Sequence, residues 1–398
     1  MNNKQLFSII LVVFIDLLGF SLIIPLLPYY AQTFNASDTQ VGLLLASYAA
    51  AQFVAAPLLG RASDRVGRRP ILVVSILGTM LAFIIFGLTT SLSLLFISRI
   101  LQGLTGGNLS VAQAYITDIT DAKSRNRSLG MIGAAFGLGF IIGPALGGIL
   151  SNINYSLPAF VAAGLALINL LLVIFWLPES LTPERRANMN ASRPTVTLSA
   201  LLEALRRPLI GPLLITRFFY SLAFAILQSI FSLFVLKRFG MSVLTTGLVL
   251  AYVGIIAVIT QAWLIGKLSE RYDDVTLIRA SLLILALGLL AWAFAPSVPL
   301  LIAAVTPVAV GGGILNTILP SFLTKAVEPQ EVGGMLGLST SIESSTRVIA
   351  PLLGGFMLER YVDWSPGLFA TLVLVATAVY AWRTIRPQFE AATVRASS

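Results

Sequence analysis

Twelve runs of apolar residues, each close to the length that crosses a bilayer as a helix, constrain this chain more than any other feature. They lie near residues 6–30, 40–59, 71–90, 93–117, 129–151, 157–177, 209–236, 243–266, 276–295, 298–323, 334–358 and 366–385. About 20 apolar residues span the hydrocarbon core as a helix. A backbone in lipid must satisfy its own polar groups, and the runs lack the strict alternation of barrel strands, so helices are the form that fits. Only 11% of the residues are charged, against about 25% in a soluble domain. The expectation is an all-α membrane protein with twelve transmembrane helices. The first run does not read as a cleavable signal peptide, because it carries Asp16, Pro25 and Pro28 and ends at Tyr29 and Tyr30 with no small-residue cleavage site.

The cations set the orientation. With both termini inside, the inner segments hold 20 of the 26 Lys and Arg residues and the outer segments hold three, Lys237, Arg238 and Arg360. By the positive-inside rule both ends face the cytoplasm, and the net charge of +9 reports membrane sidedness rather than nucleic-acid binding.

The longest polar stretch, 178–208, separates six runs from six. It predicts an N-terminal bundle at 1–177, a cytoplasmic linker at 178–208 and a C-terminal bundle at 209–398. Within the linker, Leu198 to Leu205 is amphipathic and suits the inner membrane surface. The bundles read as a tandem repeat. Gly60, Asp64 and Arg65 recur as Gly266, Glu270 and Arg271, and Gly106 and Gly107 as Gly312 and Gly313. Pro144, Gly147 and Gly148 recur as Pro351, Gly354 and Gly355, all at offsets of 206 or 207. Two six-helix bundles related by an axis along the membrane normal form a known transporter plan. The simpler reading of the matches is that Gly and Pro are common in membrane helices.

Several motifs stand on this frame. After the second run come Gly60, Arg61, Asp64, Arg65, Gly67, Arg68 and Arg69. A positive-inside anchor accounts for the arginines but not for Asp64 and the glycines. The fourth run carries Arg99, Gln102 and Gly103; the fifth carries Gly130, Gly139, Gly143, Pro144, Gly147 and Gly148; the first carries Asp16, Pro25 and Pro28. Together these resemble the major facilitator superfamily over roughly residues 6–386, and the fifth-run spacing is similar to that of its drug:proton antiporters with twelve spans. The resemblance implies the major facilitator fold, a rocking mechanism and proton-coupled export across a cell inner membrane. It also implies a latch in which Asp64 meets the start of the eleventh span near Gly333 and Gly334, while Arg65 or Arg68 pairs with Asp118. Tetracycline exporters of the best-known type carry further aspartates in helices 3 and 9 and a histidine in helix 8. Here runs 71–90 and 276–295 contain no acid and the chain has no histidine, so those sites are not carried over, and the resemblance implies drug export broadly rather than tetracycline export in particular.

Charges inside the runs call for an explanation, since each costs about 2.5–3.5 kcal/mol at mid-membrane on insertion scales. Asp16 lies about 15 Å into the first helix at 1.5 Å per residue. One reading has it face the cavity and exchange a proton as access alternates, with Arg99 near enough to tune it; the other makes the two a static salt bridge. Glu343 and Arg347 sit four apart on one helix face and either satisfy each other or leave Glu343 as a second proton or substrate carboxylate. Arg217 either snorkels inward or approaches Glu343. Polar and aromatic stripes supply candidate cavity residues: Tyr48, Gln52, Gln113, Phe224, Gln228, Phe231 and Asn316. Few polar groups among aromatic walls suit amphipathic molecules, and a carboxylate suits cations; each stripe residue has a plain packing reading as well.

The absence of cysteine and histidine excludes disulfides, thiol nucleophiles and imidazole chemistry. No phosphate-binding loop is present and no nucleophile–base pair stands out, so an ATP-driven pump and an enzyme are both disfavoured. The expected partners are a small-molecule substrate, protons and the lipid bilayer, with no nucleic acid, no metal and no cofactor, in a monomer. Metabolite transport for sugars or siderophores is the alternative on the same fold.

Overall fold

A computed structural model describes residues 3–181, 198–328 and 331–397, and every regular element among them is helical. In chain order these are α1 (Asn3–Ile23), α2 (Leu26–Gln32), α3 (Asp38–Val66), α4 (Arg68–Gly87), α5 (Leu92–Thr105), α6 (Asn108–Ile119), α7 (Ala122–Ser151) and α8 (Leu157–Phe175). There follow α9 (Leu198–Arg206), α10 (Ile210–Phe239), α11 (Val243–Ile259), α12 (Ile265–Ser269), α13 (Asp274–Ala293), α14 (Val298–Lys325), α15 (Val332–Arg360) and α16 (Ser365–Ser397), with a π turn at Thr260–Leu264. Most of the predicted linker lies outside the described residues. Its amphipathic piece is present as α9.

Ten helices among the described residues are long and apolar enough to cross a membrane. The other two expected spans depart from expectation for identifiable reasons. Run 93–117 is not one helix: it breaks between α5 and α6 at Gly106 and Gly107. Two adjacent glycines weaken the helix, and the chain tightens there into a bond from the Gly106 N–H to the Gly103 carbonyl. The side-chain amide of Gln52 covers the Gly106 carbonyl at 2.8 Å. Run 334–358 is a continuous helix of 29 residues, but Glu343 and Arg347 in its middle make it less apolar than the others.

The chain forms two compact units, Met1–Arg193 with Val235–Gly254, and Pro194–Phe234 with Ile255–Ser398. In the first, α1 packs on α6, α7 and α8, and α4 on α5 and α8. Its core includes Ile9, Val12, Leu72, Ile76, Val111, Tyr115 and Val173, all nearly inaccessible. Residues 235–254 join it through specific contacts. The Tyr29 hydroxyl meets Thr246 Oγ1 at 2.6 Å and donates to the Met241 carbonyl at 2.8 Å, and the Lys237 ammonium binds Asp38. In the second unit, α13 packs on α14 and α16, with Trp292 buried against Phe234.

Helix starts follow local chemistry. Ser37 and Gln40 form a reciprocal capping box on α3, and Ser91 caps α5 through the Leu94 N–H, each satisfying donors that the first turn leaves open.

Candidate functional site

Asp16 is the one acid in the membrane interior of the first six runs, and it sits 12 residues into the Lys4–Gln32 span, about 18 Å along the helix. Asn108 Nδ2 donates to its Oδ1 at 2.9 Å. Asn108 is the first residue of α6, so the glycine break delivers this amide, and with it the positive end of a short helix dipole, to the carboxylate. Both residues line a small cleft with Val12, Val13, Leu17, Leu109 and Ala112. The buried Asn108 Oδ1 has no hydrogen-bond partner among the described residues.

Arg99 does not stand against Asp16. No ion pair joins them among the described residues. Instead Arg99 is 4% exposed, and its guanidinium bonds the Gln102 side chain and lies 4.4 Å over the Tyr48 ring. Tyr48 stacks on Phe20 at 5.2 Å and accepts from Gln52 Nε2 at 3.0 Å. The expected pairing thus gives way to two separate arrangements, an aspartate held by an amide and an arginine held by an aromatic ring and an amide oxygen.

The turn between α3 and α4 is built around Arg68, whose side chain is fully buried. It contacts Asp64 at 2.6 Å and Asp118 at 3.0 Å, and donates to Ser63 Oγ at 2.7 Å. Of the two arginines considered for Asp118, Arg68 is the one that reaches it; Arg65 is exposed. Gly67 adopts φ 121°, a backbone region that only glycine enters without strain, which lets α4 follow α3 with a single residue between them. A residue that sequence reasoning passed over closes the network. Glu179 accepts from the Arg68 and Arg69 backbone N–H groups at 2.9 and 3.1 Å, one on each carboxylate oxygen. It thereby satisfies the open donors of the α4 N-terminus, where the dipole also favours an anion. Ser180 Oγ donates to Asp118 at 3.0 Å, and Arg69 bonds the Val173 carbonyl at 3.2 Å. The signal was available in Pro178, Glu179 and Ser180, an acid placed directly after an apolar run.

The glycines of α7 divide. A Cβ at Gly143 or Gly147 would fall 1.8 Å from Ser21 Oγ or 2.2 Å from the Leu22 carbonyl oxygen, and one at Gly139 would press on Leu17. These three therefore carry the α1–α7 contact. Gly148 lies against Leu244, and the Pro144 carbonyl covers Gly247. Gly130 faces open space.

In the second unit, Arg217, Glu343 and Arg347 form one cluster. Arg217 Nη2 meets Glu343 Oε2 at 2.5 Å and Arg347 Nη2 meets Oε1 at 2.8 Å; Arg217 Nη1 also donates to Asn316 Oδ1 at 3.3 Å. Both sequence options for Glu343 pairing are thus realised together. Tyr220 stacks on Phe224 at 5.9 Å and donates to the Gly312 carbonyl. Phe231 is core, 3% exposed, while Gln113 and Gln228 are exposed.

The sequence profile of the Major Facilitator Superfamily matches residues 9–274 and 213–397. The class H tetracycline resistance protein of Pasteurella multocida is 34% identical over 391 residues, covering 97% of this chain and 96% of that protein. Multidrug resistance protein 2 of Bacillus subtilis (strain 168) is 30% identical over 380 residues, covering 94% of each. Among solved structures, the human organic anion transporter MFSD10 (TETRAN) superposes with a TM-score of 0.71 at 23% identity, covering 95% of this chain and 99% of that one; a likeness at that identity speaks for the fold alone.

Proposed function

The chain belongs to the major facilitator superfamily, and from that footing we propose that it is a proton-coupled exporter of amphipathic drug-like molecules, working by alternating access with both termini in the cytoplasm of a cell inner membrane. Membership makes it a multi-pass membrane transporter rather than an enzyme. The tetracycline and multidrug resistance relatives support export of drug-like molecules.

The observation that carries the proton reading is the partner of Asp16. A carboxylate held by an arginine would stay ionised and locked. Asp16 is held by a neutral amide, which serves either protonation state: Nδ2–H donates to the carboxylate, and the amide oxygen accepts from the acid. A proton moved inward across 100 mV is worth about 2.3 kcal/mol, which is enough to drive about a 50-fold gradient of a neutral substrate. Asp64, Arg68, Asp118 and Glu179 would act as the inner latch, and the α7 glycines as the close contact that lets α1 and α7 move as one body.

The test is pH-gradient-driven flux in proteoliposomes with a compound panel, wild type beside Asp16→Asn. Asp16→Asn should insert normally and lose uphill flux. Normal uphill efflux by that variant would refute the role.

A further inference from the structure

The membrane interior of the second half has a charge imbalance. Its runs contain one acid away from their ends, Glu343, and two arginines at comparable depth, Arg217 and Arg347. All three are in one cluster, with each carboxylate oxygen taking one guanidinium. One negative charge between two positive ones leaves a surplus of one cation. A charge at that depth is costly unless it meets water or a counter-charge, and no other described acid in this unit reaches it.

The two arginines differ in what they have left to offer. Arg217 is the anchor: its side chain is 7% exposed, and it is committed to Glu343 and Asn316. Its Nε is buried without a partner among the described residues. Arg347 is open, 55% exposed, with one Nη engaged by Glu343. It sits 15 residues into the 29-residue α15, at the midpoint of the helix, where an exposed guanidinium must face a wetted cavity rather than acyl chains. Ser344, half-buried, and Thr340, exposed, lie one and two turns before it on the same face; the Thr340 hydroxyl donates to the Leu336 carbonyl at 2.9 Å. Phe224 is two turns from Arg217 along α10, half-buried and stacked on Tyr220.

We propose that this cluster is an anion subsite. Arg347 takes the carboxylate, sulfonate or enolate oxygen of an amphipathic organic anion, the Arg217–Glu343 pair holds Arg347 in place, and Ser344 supplies a hydroxyl donor. A guanidinium forks onto two oxygens of such a group, and the aromatic face of α10 suits an apolar body. On this assignment Glu343 is the resident counter-charge that keeps two arginines in one place, and not a second proton carrier. The inference rests on the export reading for its setting, but it concerns which charge the substrate bears. It replaces the expectation of cationic substrates, which followed from placing a carboxylate in the cavity.

Two xanthene dyes of nearly equal size and opposite charge test it, fluorescein and rhodamine 123. Dye–dye counterflow is measured in proteoliposomes without a pH gradient, so that proton coupling does not enter, and fluorescein binding to the purified protein is followed by fluorescence anisotropy. The wild type should exchange fluorescein about tenfold faster than rhodamine 123. Arg347→Gln should lower the fluorescein-to-rhodamine ratio about tenfold and weaken fluorescein binding to match, and Arg347→Lys should recover much of both. Taking a ratio removes any loss of folded protein, and Arg347 is exposed enough for its replacement to fold. A wild-type preference for rhodamine 123, an unchanged ratio in Arg347→Gln, or neither binding nor exchange of fluorescein would overturn the subsite. Failure of the proton reading shows separately, as wild-type flux that ignores an imposed pH gradient.

Discussion

Alanine placed at two glycines of the same helix gives a matched measurement of the α1–α7 contact. Gly130 and Gly147 both lie inside α7, so each replacement gains the same helix propensity, about 1 kcal/mol. The surroundings differ. At Gly130 no atom lies within 4 Å of the added methyl, whereas at Gly147 it would be 2.2 Å from the Leu22 carbonyl oxygen and 3.0 Å from its carbon. A carbon rests about 3.3–3.6 Å from such an oxygen, so α1 and α7 must part by about 1 Å. The obstacle is backbone in the middle of a packed helix and has no rotamer to escape into. Overpacking of this kind costs about 1–3 kcal/mol. Gly130→Ala should therefore be stabilised by about 1 kcal/mol, and Gly147→Ala should range from neutral to about 2 kcal/mol less stable. The difference between them isolates the clash at about 1–3 kcal/mol. Thermal unfolding of the detergent-solubilised variants, run side by side, reads that order directly. Equal midpoints, or Gly130→Ala as the weaker protein, would show that the α1–α7 approach is not what these glycines serve.

Two further outcomes follow from charged groups at helix ends. Glu179→Gln removes the charge that caps α4 at the Arg68 and Arg69 N–H groups and should cost about 1 kcal/mol, seen as a lower unfolding midpoint that Glu179→Asp does not restore if the longer reach is needed. Arg207 holds Glu331 through two bonds of 2.9 and 3.0 Å, and this hydrogen bonding keeps the Glu331 carboxyl below its usual 4.5 while raising Arg207. A depressed carboxyl contributes stability above its unfolded value and loses it as the pH falls through the folded one. Acid titration below pH 4.5 should therefore destabilise the wild type more than Glu331→Gln, and parallel curves would refute the linkage.

The features legible in the sequence are those written locally. Apolar length announced the membrane helices, and the spacing of Glu343 and Arg347 offered an ion pair. Gly106 and Gly107 were visible, but apolar residues on both sides hid the break they cause, because hydropathy averages over a window longer than two residues. The Asp16–Asn108 bond joins positions 92 apart. Its existence depends on the rotation of one helix against another, which no local pattern encodes. Arg99 misled for the same reason: a cation in a membrane helix needs a partner, and the sequence offered an aspartate in the first run while the fold supplied the face of Tyr48. The bridging role of Arg217 likewise required knowing that α10 and α15 meet at Glu343. Glu179 was visible as an acid directly after an apolar run, but its bond to the start of α4 joins positions 111 apart and was no more legible than that of Asp16.

The interrupted crossing at α5 and α6 has a wider implication. A rod that stops and starts again in oil exposes the blunt ends of its peptide ladder, and those ends must be met by something polar. At the upper stump Gln52 covers one carbonyl; at the lower stump the first side chain reaches sideways to Asp16. Among the described residues the acid at this joint is met by dipoles and by no cation, so a change in its charge would leave no cation orphaned.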